Sequence, residues 1–210
     1  MSSMMQAAVY RAPNEVEVCA VPRPRAGRGE ILLRTWGVGL CGTDINKVRY
    51  GTVPQGTVPG HELAGWVAEA GEGVTAFAVG DRVAATHHVP CYTCHYCLRG
   101  SYSMCCSFQS TEFDPGGLAE YVRLAPLHVR HTTLRLPDAL PFEEAVFIES
   151  LACCLRAVRR AGVRQGDLVW IIGPGSSGLL LALSALSCHA HVVVSELNPA
   201  RLALSRELGA

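Results

Sequence analysis

The sequence predicts a mixed α/β protein in two parts, a β-rich, barrel-like domain over residues 1–150 and the beginning of an α/β domain over residues 151–210. Three observations predict it. Up to about Leu136, Gly and Pro divide the chain into short apolar runs separated by turn-forming segments. A helical pattern then takes over, and the remainder alternates strand, glycine turn, helix, strand and helix.

Taken in order, the alternation from Ala7 to Val18 suits strands. The runs EILLRTWGVGL, LAGWVAEAG, DRVAATHHV and LAEYVRL follow, with turns at VPRPRAGRG, GTVPQGTVPG and GEGV. PFEEAVFIESLACCLRAVRRAGV reads as one helix bridging the two parts. Pro141 fits its first position, Glu143 and Glu144 suit its positive N-terminal end, Arg156, Arg159 and Arg160 lie near its negative C-terminal end, and Gly162 stops it. LVWII (168–172) and HVVVS (191–195) are strands flanking a helix over about 176–188, and a last helix covers about 199–208.

Composition narrows the function. Lys plus Arg and Asp plus Glu number 18 each, so nothing in the charge points to nucleic acid, an anionic membrane or a polyanion, and a small molecule is the expected partner. The opening MSSMMQAAVYRAPNEVEV lacks the basic segment and apolar run of a signal peptide. The most apolar segment, Gly178 to Val194, carries Ser184, Ser187, His189 and His191, which suits a buried helix followed by a buried strand better than a membrane span. A cytoplasmic location is the expectation, and in a reducing compartment clustered thiols are metal ligands or reactive groups before they are disulfides.

Ten cysteines are present, and CYTCHYCLRGSYSMCC (91–106) places Cys91, Cys94, Cys97 and Cys105 in one short loop. Four thiolates close a tetrahedron around Zn²⁺ and leave no position for a substrate, so such a site is structural. The first three also fit the opening of a ferredoxin-type run, but its fourth cysteine comes after three residues and precedes proline, whereas here seven intervene. Cys106 is an alternative fourth ligand to Cys105.

A second constellation lies in LCGTD (40–44) and PGHELAG (59–65). Cys41 ends an apolar run, and His61 and Glu62 follow a Pro-Gly turn, places where side chains converge at the rim of a barrel. Three protein ligands with a fourth position open is the pattern of catalytic zinc. A thiolate, a neutral imidazole and a carboxylate nearly cancel the ion's charge while leaving it able to polarise an alcohol and stabilise the alkoxide.

Gly60, His61, Glu62, Gly65, Gly71 and Val74 stand in an order that resembles the zinc signature of the medium-chain alcohol dehydrogenases. The resemblance extends to VGDRV (79–83), the four-cysteine lobe, GGLAEYV (116–122) and IESLACCLRAV (148–158), and so covers essentially the whole chain. His followed directly by Glu, and the glutamate opening ESLAC, are most similar to the polyol (sorbitol) and threonine dehydrogenase branch. The resemblance implies a GroES-like catalytic domain, catalytic zinc on Cys41, His61 and Glu62 or Glu149, and structural zinc on Cys91, Cys94, Cys97 and Cys105. It implies that Thr43 accepts the alcohol proton, and a homo-oligomer for the full-length protein. Asp44 is read as a group supporting a ligand or capping a helix. This chain has Asn46 where many relatives carry a proton-relay histidine, Tyr92 in a place usually given to glycine, and Ser150 in one usually given to proline.

Between the two late strands, GPGSSG supplies Gly173, Gly175 and Gly178 as G-x-G-x-x-G in the strand, turn, helix context of a Rossmann dinucleotide site. Glu196, eighteen residues past Gly178, is placed to bind ribose hydroxyls and repel a 2′-phosphate, which favours NAD over NADP. Only two strands of about six are present before the sequence ends, so the reading is a truncated Rossmann domain. The expected protein is thus a zinc-dependent, NAD-linked dehydrogenase of a secondary alcohol, polyol or threonine-like hydroxyl, this chain being an inactive or weakly active fragment. A non-catalytic zinc-binding module and an iron–sulfur electron-transfer protein are the alternatives.

Overall fold

The computed structural model describes residues 3–210 and begins with a hairpin, β1 (Met4–Ala12) and β2 (Glu15–Pro22), turned at Asn14 with φ of 63°. Asn tolerates this left-handed conformation better than most residues. Met5, Ala7 and Val9 alternate along β1 and are buried with Val58 and Ala119, as a period of two requires.

A five-stranded antiparallel sheet follows, built from β3 (Ile31–Gly39), β4 (Glu62–Ala70), β5 (Arg82–Ala85), β6 (Tyr121–Leu124) and β7 (Thr133–Arg135) in the order β6-β3-β4-β5-β7. Ile31, Leu33, Leu63, Val67, Val83, Val122 and Leu124 form its core, each 0–1% exposed. Burial on that scale contributes about 1.5–3 kcal/mol per large aliphatic side chain. The hairpin joins this sheet through the segment before β6, where Ala8 N–H donates to the Leu118 carbonyl (2.9 Å) and Glu120 N–H to that of Gln6 (3.1 Å). Runs expected as strands are shorter than their apolar pattern. DRVAATHHV is strand only to Ala85, because β7 pairs only with Val83–Ala85, and LAEYVRL begins at Tyr121.

The expected single bridging helix is instead two, Phe142–Ala145 and Ile148–Ala161, and Pro141 is extended before the first of them. The Phe142 ring accounts for the separate first turn. It stacks on Trp36 (5.4 Å between centroids), meets Trp66 edge-on (4.8 Å) and lies under the Arg82 guanidinium (4.5 Å). The chain divides into two compact units after Phe147, against an expected boundary at 150.

The second unit, Ile148–Ala210, holds the helix Ile148–Ala161, β8 (Leu168–Ile172), the helix Ser176–Leu186, β9 (His191–Ser195) and the helix Pro199–Glu207. β8 and β9 pair in parallel, Leu168 opposite His191 through Ile172 opposite Ser195. The middle helix ends at Leu186 rather than 188. Asn198 caps the last helix, its Oδ1 accepting from Ala200 N–H (2.9 Å) and Arg201 N–H (3.3 Å). The apolar run 178–194 is therefore a helix and a strand, and among the described residues no helix is long and apolar enough to cross a membrane.

Candidate metal centres and nucleotide turn

Cys41 follows β3 and is the N-cap of the helix Gly42–Tyr50, its sulfur accepting from Thr43 N–H (3.4 Å). Glu62 opens β4 directly opposite Gly39, the last residue of β3. The antiparallel register thus puts the thiol, His61 and the Glu62 carboxylate at one strand end, with a donor atom from each within 4.8 Å of the others. Glu62 is 5% exposed and His61 is 9% exposed. A Cβ on Gly39 would fall on the Glu62 carboxylate, so the space that carboxylate occupies exists because residue 39 has no side chain.

His61 is oriented from behind. Its Nδ1 lies 3.3 Å from Asp44 Oδ1, which also accepts from Gly60 N–H (3.0 Å), leaving Nε2 as the nitrogen available to a metal. Burial raises the pKa of Asp44, but the hydrogen bonds from His61 and Gly60 outweigh it and the net shift is downward. A carboxylate–imidazole pair of this kind fixes the tautomer and ring plane of a metal-binding histidine. The three donors and their supporting carboxylate fit Zn²⁺ with a position left open.

The lobe brings Cys91, Cys94, Cys97 and Cys105 together, sulfur atoms within 4.8 Å of one another. Cys94 and Cys97 sulfurs are 3.5 Å apart and those of Cys91 and Cys97 are 3.9 Å apart. Tetrahedral zinc with Zn–S of about 2.3 Å separates its sulfurs by about 3.8 Å, so the cage fits one ion and leaves no space for a multinuclear iron–sulfur cluster. Cys91 is drawn down to about 6 by Thr93 N–H, the Thr93 hydroxyl and Cys94 N–H, while burial and shared thiol hydrogen bonds push Cys97 up to about 12. Sulfurs packed this closely do not all ionise without a cation among them. Cys106 is exposed and stands outside the group. Tyr92 has φ of 59°, which is the reason glycine is at home in that place, and its ring lies 4.5 Å from that of His131.

A cleft of about 270 Å³ in the first unit is lined by His61 together with Lys47, His87, Glu112 and Phe113. His87 and Lys47 were missed by the sequence reading, which took THHV only as part of a strand; the adjacent histidines just past VGDRV were the available signal. The His87 ring is 4.6 Å from that of His61, and burial, with the nearby His88, holds its pKa down to about 3, so it is a neutral imidazole. Thr43 and Asn46 are exposed on the helix Gly42–Tyr50.

In the second unit Glu149 lies in the first turn of the helix Ile148–Ala161, where Cys153 Sγ donates to its Oε1 (3.7 Å). The glycine turn lies between β8 and the helix Ser176–Leu186. Gly173 has φ of 82°, Gly175 is the N-cap of the helix Ser176–Leu186, and a Cβ on Gly178 would fall on the Gly173 carbonyl. Glu196 folds back on the following turn, its Oε1 accepting from Leu197 N–H (2.7 Å) and Asn198 N–H (2.9 Å) with Arg201 Nη1 3.7 Å from Oε2. Those backbone donors, with Arg201, lower its pKa.

Comparison with known proteins bears on both units. The sequence profile of the "Alcohol dehydrogenase GroES-like domain" matches residues 27–138. A sorbitol dehydrogenase of Bombyx mori is 34% identical over 97% of this chain and 60% of its own length. Among solved structures, a protein of Sinorhizobium meliloti described as a zinc-binding dehydrogenase, bound to NADP, superposes with a TM-score of 0.88 at 31% identity over 100% of this chain and 61% of its own. An acetophenone reductase of Geotrichum candidum in complex with NAD also reaches 0.88, at 26% identity over 100% of this chain and 63% of its own. The chain spans about 60% of the length of these proteins.

Proposed function

The chain belongs to the zinc-containing medium-chain alcohol dehydrogenases, sorbitol dehydrogenase-like, and we propose that it carries the metal centre and adenosine-side turn of an NAD-linked dehydrogenase that oxidises a secondary alcohol or polyol to a ketone. The observation that carries the reading is the convergence of Cys41, His61 and Glu62 within 4.8 Å, with Asp44 bracing the imidazole and His61 also lining a cleft. Zinc held there supplies a Lewis acid for the alcohol oxygen.

The chain's own residues do the rest. Asp44 keeps Nε2 of His61 free of a proton and aimed at the ion. Gly39 leaves room for the Glu62 carboxylate, and Glu149 is the other candidate carboxylate that the family resemblance brings forward. Thr43 is the hydroxyl proposed to accept the alcohol proton. Asn46, an amide, does not titrate in this range and so does not replace the relay histidine of many relatives. Cys91, Cys94, Cys97 and Cys105 hold the second zinc and stiffen the lobe. Gly173, Gly175 and Gly178 form the pyrophosphate turn at a helix N-terminus, and Glu196 favours NAD over NADP. Ten thiols with no disulfide among the described residues suit a cytoplasmic setting.

Metal analysis tests the reading. Two zinc ions per zinc-replete chain are expected, with Cys41→Ser losing one and keeping the other. The accompanying assay is reduction of NAD⁺ with sorbitol as the first alcohol tried. One zinc in the unaltered chain, or loss of both on Cys41→Ser, overturns the assignment of ligands.

A further inference from the structure

We propose that Lys47 selects the substrate, and that the alcohol oxidised here carries a carboxylate close to its reacting hydroxyl rather than being a neutral polyol; this rests on the dehydrogenase reading and deepens it. Lys47 and His61 line the same cleft, whose volume of about 270 Å³ lies near the lower end of ligand pockets and suits a small molecule. Lys47 is half-buried there.

Its obvious counter-ion is committed elsewhere. Asp44 and Lys47 are three residues apart on the helix Gly42–Tyr50 and so share one face. The Asp44 carboxylate nevertheless turns to His61 Nδ1 (3.3 Å) and Gly60 N–H (3.0 Å), and no acid lies within ion-pair distance of Lys47 among the described residues. The other charged group lining the cleft, Glu112, is exposed and forms no ion pair with Lys47. An ammonium with no counter-ion of its own gains from an anion that arrives with the ligand. The remaining lining near His61 includes the imidazole of His87, a further polar group for a small ligand.

The redox step is unchanged by this choice. The carbon bearing the hydroxyl gives hydride to NAD⁺, the hydroxyl proton leaves to solvent, and a hydroxy acid becomes a keto acid with NADH as the second product. Lys47 touches only the carboxylate, which stays intact.

A matched pair of probes separates the charge from the rest of the molecule. 3-Hydroxybutyrate and 1,3-butanediol differ chiefly in carboxylate against hydroxymethyl, and calorimetric titration of each into the zinc-loaded 210-residue chain reads their affinities. The acid is expected to bind about 10- to 100-fold more tightly, as a charge-assisted hydrogen bond provides. Lys47→Met should erase that preference, bringing the acid and the diol to similar affinities, and Lys47→Arg should restore most of it. Equal affinities in the unaltered chain, or a preference that survives Lys47→Met because the carboxylate grips the metal itself, overturns the proposal. The dehydrogenase reading fails separately, if metal analysis of the same samples finds the Cys41 site unfilled.

Discussion

Replacing Gly39 with alanine tests the first metal site through a residue that donates nothing to it. Gly39 is the last residue of β3, paired with Glu62, in extended backbone that alanine adopts without strain. Its added Cβ would overlap the Glu62 carboxylate and come within 3.0 Å of Glu62 Cβ and 3.3 Å of Cδ. Glu62 is 5% exposed and has little space into which to retreat, so the carboxylate must leave its place beside Cys41 and His61. Overpacking of this size costs about 1–3 kcal/mol of stability. Displacing one of three donors should weaken zinc at this site at least as much as losing a supporting group does, about 10- to 100-fold. Competition with a chromogenic chelator resolves the two sites: one zinc should be withdrawn at lower chelator concentration, while the four-thiolate zinc is unaffected. If both ions in Gly39→Ala are held within about threefold of the unaltered chain, Glu62 is not a ligand, and Glu149 takes its place in the reasoning.

Acid should destabilise the first unit through His87. Its pKa falls from the usual 6.5 to about 3 in the fold, so between those values the unfolded chain binds a proton that the folded chain does not, and stability is lost as pH falls. At about 1.4 kcal/mol per pH unit, lowering the pH from 7 to 5 removes about 2 kcal/mol, and urea unfolding of His87→Gln should show a correspondingly flatter pH dependence. Burial lowers His128 as well, in the same direction, so some acid sensitivity should remain in that variant. Phe142→Ala removes the ring between Trp36 and Trp66 and should cost about 3–5 kcal/mol in the same assay; a loss below 1 kcal/mol would show that the Phe142–Ala145 turn is not anchored by it. Gly178→Ala drives a methyl against the Gly173 carbonyl and should weaken NADH binding, read by nucleotide fluorescence, with zinc content unchanged.

Much of the molecule was legible because its signals are local. The spacing of Cys91, Cys94, Cys97 and Cys105 within one loop is itself the cage, and G-x-G-x-x-G between two apolar strands contains its own turn geometry. LVWII and HVVVS were read to the residue because both ends are marked by glycine, histidine or polar residues. The bridging helix was misread for a non-local reason: Phe142 has helical neighbours in sequence, but its ring is held by Trp36 on β3 and Trp66 on β4. No periodicity within residues 141–162 carries that information.

The sequence by itself determined which chemistry the chain holds, since thiol, imidazole and carboxylate groups in a given order limit the ions and reactions available to it. Tertiary structure decided which of the groups that lie far apart in sequence meet. The register of β3 on β4 sets Glu62 against Gly39 beside Cys41, Asp44 turns to His61 instead of Lys47, and His87 comes to lie against the His61 ring. Each of these contacts joins residues 16 or more positions apart or depends on a choice between two partners. Side-chain identity constrains what a group is able to bind, whereas packing and strand pairing across the chain fix the few ångströms that determine what it does bind.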